Sequence, residues 1–144
     1  MSPRAITAIL ITLVGASTLI GLLWRATTGR IHEVVPSNER INVSELLAGS
    51  VAGSSATLLQ FSTEFCSPCR ITNSLLGELA AELPGITHVD VDVTSRPALA
   101  DRFSLLQSPT TFILDATGTV RARISGAPRI ADLRAELSRI QEAA

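Results

Sequence analysis

Thr57–Arg70 reads TLLQFSTEFCSPCR, and this stretch determines the fold class that the sequence predicts. TLLQFS is a short apolar run with strand character, and both cysteines of the chain follow it. From Cys66 to Leu83 apolar residues recur at helical spacing, and Pro84-Gly85 ends the helix. A strand that passes through a CxxC turn into a helix predicts an α/β domain.

The sequence after this stretch continues the alternation of strands and helices. We predict a strand at Thr87–Val93, a helix at Pro97–Phe103, strands at Thr110–Leu114 and Val120–Ile124 joined by a turn at 116–118, and a last helix at Ile130–Ile140. The order is then β-α-β-α-β-β-α. Strands alternating with helices imply parallel crossovers, and the final hairpin adds an antiparallel strand. The prediction is a mixed central sheet flanked by helices.

The two cysteines, Cys66 and Cys69, lie where a helix begins. Free N–H groups and the helix dipole stabilise a thiolate there, and the thiolate is the species that attacks a disulfide. Residues three apart share a helix face at close to disulfide distance, and Pro68 fits the first turn. We therefore expect Cys66 to attack a substrate disulfide and Cys69 to resolve the mixed disulfide.

Metal binding and a structural disulfide are the alternatives for this pair. One CxxC supplies two ligands, whereas a closed zinc site needs four, and neither His32 nor His88 shows ligand spacing. A disulfide that closes so small a loop adds little stability. We expect no metal and no cofactor other than the redox-active disulfide.

The N-terminal stretch Ala5–Trp24 contains 20 residues without a charge. A helix of that length spans about 30 Å, the thickness of a bilayer's hydrocarbon core. Arg4 and Arg25 bracket it, and Trp24 lies where an interfacial aromatic residue belongs. The pattern predicts a single-pass membrane anchor, placed in the plasma membrane.

Other interpretations of this stretch fit less well. A signal peptide cleaved at 14–16 would leave the apolar run STLIGLLW on the mature protein, and no cysteine follows for a lipid anchor. A soluble core helix is usually shorter. Counting Lys and Arg on either side slightly favours a cytoplasmic domain.

The chain is therefore predicted to have four segments. They are a tail at 1–4, the membrane helix at 5–24, a tether at 25–55 with a short helix around Ser44–Leu47 capped by Ser44, and the α/β domain at 56–144. The net charge of −1 gives no reason to expect nucleic-acid binding. We expect a monomer.

The segment QFSTEFCSPCR resembles the strand–turn–WCGPCK segment of the thioredoxin family. Ser108-Pro109-Thr110 resembles that family's cis-proline signature, and Gly126 resembles the glycine of its substrate-facing loop. The resemblance covers Ala56–Ile140. It implies a thioredoxin-like fold in which Pro109 is cis and grips an extended substrate backbone.

The motif positions implied to form the substrate surface are Phe65, Ser67, Pro68, Ser108, Thr110 and Gly126. The resemblance also implies reduction of protein disulfides, an upstream dithiol donor, and an extracytoplasmic domain, because anchored members more often face outward. That last expectation opposes the charge count.

The sequence departs from the family below the cysteines. A buried carboxylate of the family is Gln60 here, and a neighbouring lysine is Asp90. One hypothesis is that Asp90 handles the Cys69 proton while Gln60 orients Asp90. The alternative is that Asp90 is an ordinary solvated strand residue.

Two other functions remain open at this stage. An extracytoplasmic disulfide oxidase or isomerase would need a more oxidising pair, and such proteins usually carry a histidine inside the CxxC, where this chain has Ser67-Pro68. A redox-inert adaptor for a membrane partner would not need both cysteines.

Overall fold

The computed structural model describes residues 3–27, 31–33 and 40–142. Its elements are α1 (Pro3–Thr27), β1 (Ile31–Glu33), α2 (Val43–Leu46), β2 (Ala56–Ser62), α3 (Ser67–Glu82), β3 (Ile86–Asp92), α4 (Pro97–Arg102), β4 (Thr110–Asp115), β5 (Val120–Ser125) and α5 (Ile130–Glu142). The predicted β-α-β-α-β-β-α order is confirmed from β2 to α5.

The strands form one mixed sheet in the order β1-β5-β4-β2-β3. β2 and β3 are parallel because helix α3 connects them, and the other pairs are antiparallel. The carboxyl end of β2 therefore lies beside the start of β4 and the end of β5, since Phe61 pairs with Thr110 and Thr110 pairs with Ser125. We call this edge of the sheet the cysteine end, because Cys66 follows β2 there.

Apolar side chains cover both faces of the sheet. Helices α3 and α5 pack on one face through Leu76, Leu79, Leu133, Leu137 and Ile140. The other face holds a cluster of three aromatic rings, Phe61, Phe103 and Phe112, with centroids 5.1 to 5.8 Å apart. Aromatic rings at this spacing add stability beyond the area they bury.

The predicted tether at 25–55 is wrong in part, because it contains elements of the packed domain. β1 extends the sheet, with Ile31 opposite Ile124. Ile41, Val43 and Leu46 are at most 6% exposed and join the cluster around the phenylalanines. The free energy gained by burying these apolar side chains holds the segment on the domain, although the neighbouring residues are polar. The packed domain thus begins before residue 56.

The short helix in this segment is also capped differently from the prediction. α2 begins after Asn42, whose side-chain oxygen accepts a hydrogen bond from the Ser44 backbone N–H at 3.2 Å. Asn42 therefore takes the capping position that was predicted for Ser44.

Helix α1 contains the apolar stretch, and Pro3–Trp24 is long and apolar enough to cross a bilayer. None of its most apolar window is buried against the rest of the described protein. Thr7, Thr12 and Thr18 donate their hydroxyls to backbone carbonyls four residues earlier, which satisfies these polar groups within the helix. A signal sequence meets the same criteria of length and composition.

Candidate active site

A disulfide joins Cys66 and Cys69 where β2 passes into α3, and their Cα atoms are 5.2 Å apart. Cys66 is the N-cap residue of α3, and its sulfur accepts a hydrogen bond from the Cys69 backbone N–H at 3.2 Å. A backbone N–H of the first helical turn thus points at this sulfur, which is an arrangement that also stabilises a thiolate. Cys66 is half-buried, whereas Cys69 is only 2% exposed. A substrate can therefore approach Cys66 much more easily than Cys69.

The turn before the disulfide is fixed by a hydrogen-bonded bridge to the end of β3. The backbone N–H of Glu64 donates to the Thr94 hydroxyl oxygen at 2.8 Å, and that hydroxyl donates to Asp92 at 2.6 Å. The Thr94 side-chain and backbone hydrogen bonds lower the pKa of Asp92, which keeps it ionised as an acceptor. Phe65 lies in this turn and is 89% exposed.

The loop before β4 carries the cis Ser108–Pro109 peptide bond that the resemblance implies. Pro109 immediately precedes Thr110, which pairs with Phe61, so the proline lies at the cysteine end of the sheet. Gly126 has a φ of +86°, which favours glycine, and its N–H donates to the Pro109 carbonyl at 2.8 Å. The loop after β5 therefore supports the proline directly.

Thr110 and the other motif residues differ in exposure. Ser67 and Pro68 are exposed, and Ser108 is half-buried. Thr110 is fully buried, and its hydroxyl donates to the Gln107 carbonyl at 2.7 Å. Its side chain therefore braces the proline loop and does not form part of the exposed surface that the resemblance implies for it.

Arg123 holds the beginning of the same loop. Its two terminal nitrogens donate to the carbonyls of Phe103 and Ser104 at 3.0 and 2.7 Å, and its guanidinium lies 5.2 Å from the centre of the Phe112 ring. Burial lowers the pKa of Arg123. Ser104 adopts a φ of +48°, so the arginine ties down a turn that is uncommon for a residue with a side chain.

Gln60 lies below the disulfide and is fully buried. Its Nε2 donates to the backbone carbonyl of Cys69 at 3.0 Å, and its Oε1 lies 3.2 Å from Nε2 of His88. Burial lowers the pKa of His88, and the nearby Asp90 carboxylate partly opposes this shift. A neutral His88 that donates from Nε2 completes the chain His88–Gln60–Cys69.

Asp90 shares a cavity with Cys69. The cavity has a volume of about 280 Å³ and is lined by Ser62, Thr63, Cys69, Arg70, Asn73, Ser74 and Asp90. One carboxylate oxygen of Asp90 accepts a hydrogen bond from Asn73 at 2.7 Å. The other is buried and has no hydrogen-bond partner among the described residues. An acceptor of this kind, next to a thiol that must lose a proton, is suited to receive that proton.

Within residues 3–27, 31–33 and 40–142 no group of three or more His, Cys, Asp or Glu side chains could hold a metal ion.

Sequence analysis missed three residues of this site. His88 was considered only as a metal ligand, although its alternation with Asp90 puts both on one face of β3. Asn73 lies four residues after Cys69, on the same face of α3. The outward position of Arg123 on β5 is typical of a solvated arginine, so its sequence position alone does not indicate its contacts with the proline loop.

A family model described as Thioredoxin matches residues 42–139. Thioredoxin from Chlamydia trachomatis is 41% identical over 66 residues, which are 46% of this chain and 64% of that protein. Thioredoxin from Mycolicibacterium smegmatis is 39% identical over 92 residues, or 61% of this chain and 81% of that protein. The chain thus spans slightly less than two thirds of the chlamydial relative and about four fifths of the mycobacterial one.

Solved structures share the fold. Fasciola hepatica thioredoxin is 28% identical, with a TM-score of 0.51 over 60% of this chain and 82% of that chain. Thioredoxin-2, from a malaria parasite, has a TM-score of 0.55 at 23% identity over 65% of this chain and 90% of that chain. These similarities show that the chain shares its fold with those proteins.

Proposed function

Since this chain belongs to the thioredoxin family, we propose that it is a thiol–disulfide oxidoreductase that reduces protein disulfides through Cys66 and Cys69. The observation that carries the proposal is the disulfide at the start of α3 between Cys66, which is half-buried, and Cys69, which is only 2% exposed. Dithiol exchange requires an attacking cysteine that the substrate can reach and a resolving cysteine that is more protected.

The reaction transfers two electrons from the dithiol to the substrate. The Cys66 thiolate attacks one sulfur of a substrate disulfide, forms a mixed disulfide and releases the other substrate sulfur, which takes up a proton. Cys69 then loses its proton, and its thiolate attacks the Cys66 sulfur. The second substrate thiol leaves, and the Cys66–Cys69 disulfide remains. An upstream dithiol donor reduces it again.

Asp90 is proposed to accept the proton that Cys69 loses. The support is the shared cavity and the buried carboxylate oxygen of Asp90, for which the described residues supply no hydrogen-bond partner. The side-chain Nε2 of Gln60 donates to the backbone carbonyl of Cys69. Within the described residues Gln60 makes no side-chain hydrogen bond to Asp90. Its proposed role is therefore to hold the first turn of α3 in place, and this differs from the expected role of orienting Asp90.

The surface around the Cys66–Cys69 pair is proposed to bind an extended substrate segment. It comprises the exposed Phe65, Ser67 and Pro68, the half-buried Ser108, and the buried Pro109 and Gly126, all at the cysteine end. The backbone of the cis-proline loop would pair with the substrate on either side of its cystine. No group here selects a particular side chain, which fits protein disulfides as the substrate class.

Helix α1 is proposed to anchor the protein in the membrane as a single pass, with the domain acting as a monomer. Its length, its lack of charge and its exposure support this anchor. The test is carbonate extraction of membranes that contain the full chain. Retention in the pellet supports the anchor, whereas release of a shortened chain would reveal a cleaved signal sequence.

The reduction potential of the Cys66–Cys69 pair tests the direction of electron flow. The full chain in detergent is equilibrated with glutathione buffers, and the fraction of disulfide is read from intact mass after thiol alkylation. A potential near −270 mV, as in thioredoxin, supports the reductase. A potential near −120 mV, as in a strong disulfide oxidant, would contradict it.

A further inference from the structure

The strand that follows the helix α1 enters the sheet at the cysteine end. Ile31, the first residue of β1, pairs with Ile124, and β5 has only one more residue, Ser125, before the active-site loop begins. Ser125 pairs with Thr110, and Gly126 donates to the Pro109 carbonyl. The chain therefore arrives from α1 next to the loop that supports the cis-proline.

The opposite end of β1 leads away from the site. Glu33 pairs with Ala122, and the chain next joins the sheet where Arg40 forms a bridge with Thr119, in the β4–β5 turn region. Because β1 runs from the cysteine end toward this turn, α1 is attached at the cysteine end.

The connection between helix and strand is short. Only residues 28–30 separate the end of α1 from Ile31. Four Cα steps reach at most about 14 Å. Three strand spacings separate β1 from β2 in the sheet, which is about 14 Å more. The Cys66–Cys69 pair therefore lies within roughly 30 Å of the point where α1 ends.

The cysteine end also carries the most exposed large apolar side chains among the described residues outside α1. Leu106 is 94% exposed and precedes the cis-proline by three residues, and Phe65 is 89% exposed next to Cys66. These two side chains offer apolar contacts to a protein that approaches the disulfide.

We propose that the cysteine end faces the bilayer surface and that the partner is a membrane protein whose cystine lies within about 30 Å of that surface. This rests on the proposed function, namely on α1 as the anchor and on redox exchange at Cys66. The short connection at the cysteine end would let the dithiol reach disulfides close to the membrane surface and prevent it from reaching disulfides far above that surface.

The first experiment varies the height of a substrate disulfide above the membrane. The full chain is reconstituted in phosphatidylcholine vesicles with a single-span test protein, whose one disulfide loop sits on a helical spacer of EAAAK repeats. Spacers of about 15 and 60 Å are compared after reduction with dithiothreitol. We expect at least tenfold faster single-turnover reduction on the short spacer. Equal rates would overturn the proposal.

Matched insertions test the role of the short connection. A Gly/Ser linker of about 30 residues, reaching about 30 Å, is inserted within residues 28–30 in one variant and within 34–39 in the other. We expect the first insertion, before β1, to speed reduction on the long spacer at least threefold. The second, after β1, should not change it. If both insertions speed reduction on the long spacer equally, or if neither insertion does, attachment through β1 is contradicted.

Soluble insulin separates this proposal from the proposed function. All variants should reduce insulin at the parental rate, because the dithiol itself is unchanged. If the parental chain does not reduce insulin, the redox activity is refuted. If the parental chain is released from the vesicles, the anchor is refuted. Either result also refutes this proposal. Normal insulin reduction without height dependence would refute this proposal alone.

Discussion

Gln60 donates a hydrogen bond from its side-chain Nε2 to the backbone carbonyl of Cys69 at 3.0 Å, from a fully buried position on β2. The resemblance places a carboxylate at this position in thioredoxins. A neutral amide can hold the turn but cannot take up the proton of Cys69. The acid in this cavity is Asp90, which pairs with Gln60 across the β2–β3 ladder.

Replacing Asp90 by Asn should slow resolution of the mixed disulfide. The amide keeps the size of the side chain but cannot accept the Cys69 proton, and general bases contribute about 100-fold or more. We expect at least a tenfold lower rate of Cys69 attack and a weaker dependence of that rate on pH. Stopped-flow kinetics with a preformed mixed disulfide on Cys66 measure this step.

Asp101→Asn is the matched control, because Asp101 is an exposed carboxylate on α4. This variant should resolve the mixed disulfide at the parental rate. A parental rate in Asp90→Asn as well would show that Asp90 is an ordinary strand residue.

His88 should make stability dependent on pH below about 6.5. Burial lowers its pKa in the folded protein from an ordinary value of 6.5, so the unfolded chain binds the proton more tightly. Its contribution to the free energy of unfolding is fully present above pH 6.5 and decreases as the pH falls from there to the folded pKa. Urea denaturation of the oxidised protein between pH 5 and 8 measures it.

His88→Gln removes the titrating group and keeps a donor for Gln60. The parental protein should lose stability relative to this variant as the pH falls below 6.5. Carboxylates that do not interact with His88 cancel in the difference. A difference that does not change with pH would contradict the burial of His88.

Arg123→Met should weaken substrate binding without changing the chemical step. The variant frees the carbonyls of Phe103 and Ser104 at the beginning of the cis-proline loop. Loss of about 1 kcal/mol of loop positioning predicts roughly a fivefold higher KM for insulin at an unchanged kcat. Arg123→Lys, which keeps the charge but lacks the two separate donor nitrogens of the guanidinium, should recover part of this loss.

Arg121→Met is the control on the same strand. Arg121 pairs with Asp115 at 2.9 Å, at the far end of the sheet from the disulfide. Its loss should leave KM unchanged. A fall in kcat for Arg123→Met, or an equal KM effect in Arg121→Met, would exclude a role for Arg123 in positioning the loop.

The sequence predicted the elements from β2 to α5 because each follows a local pattern. Apolar alternation, helical spacing and turn residues are local signals, and Cys66, Cys69 and Pro109 lie in short motifs. The pieces it missed depend on long-range contacts. Ile31 is a strand residue because it pairs with Ile124 at the edge of the sheet. Ile41 is buried because it packs in the cluster that contains the three phenylalanines.

The residues around the cysteines show the same division. Gln60 and Asp90 were singled out because they depart from a known pattern, but their separate contacts follow from the packing of α3 on the sheet. No local signal shows that the carbonyls of Phe103 and Ser104 lie within reach of Arg123, 19 to 20 residues away along the chain.

Trapping of a mixed disulfide tests the central claim most directly. Reduced Cys69→Ser is mixed with insulin, and intact mass with peptide mapping locates any adduct. We predict a stable adduct on Cys66. The matched Cys66→Ser variant should form little or none, because Cys69 is only 2% exposed. Adducts of similar yield on Cys69, or none in either variant, would contradict dithiol exchange led by Cys66.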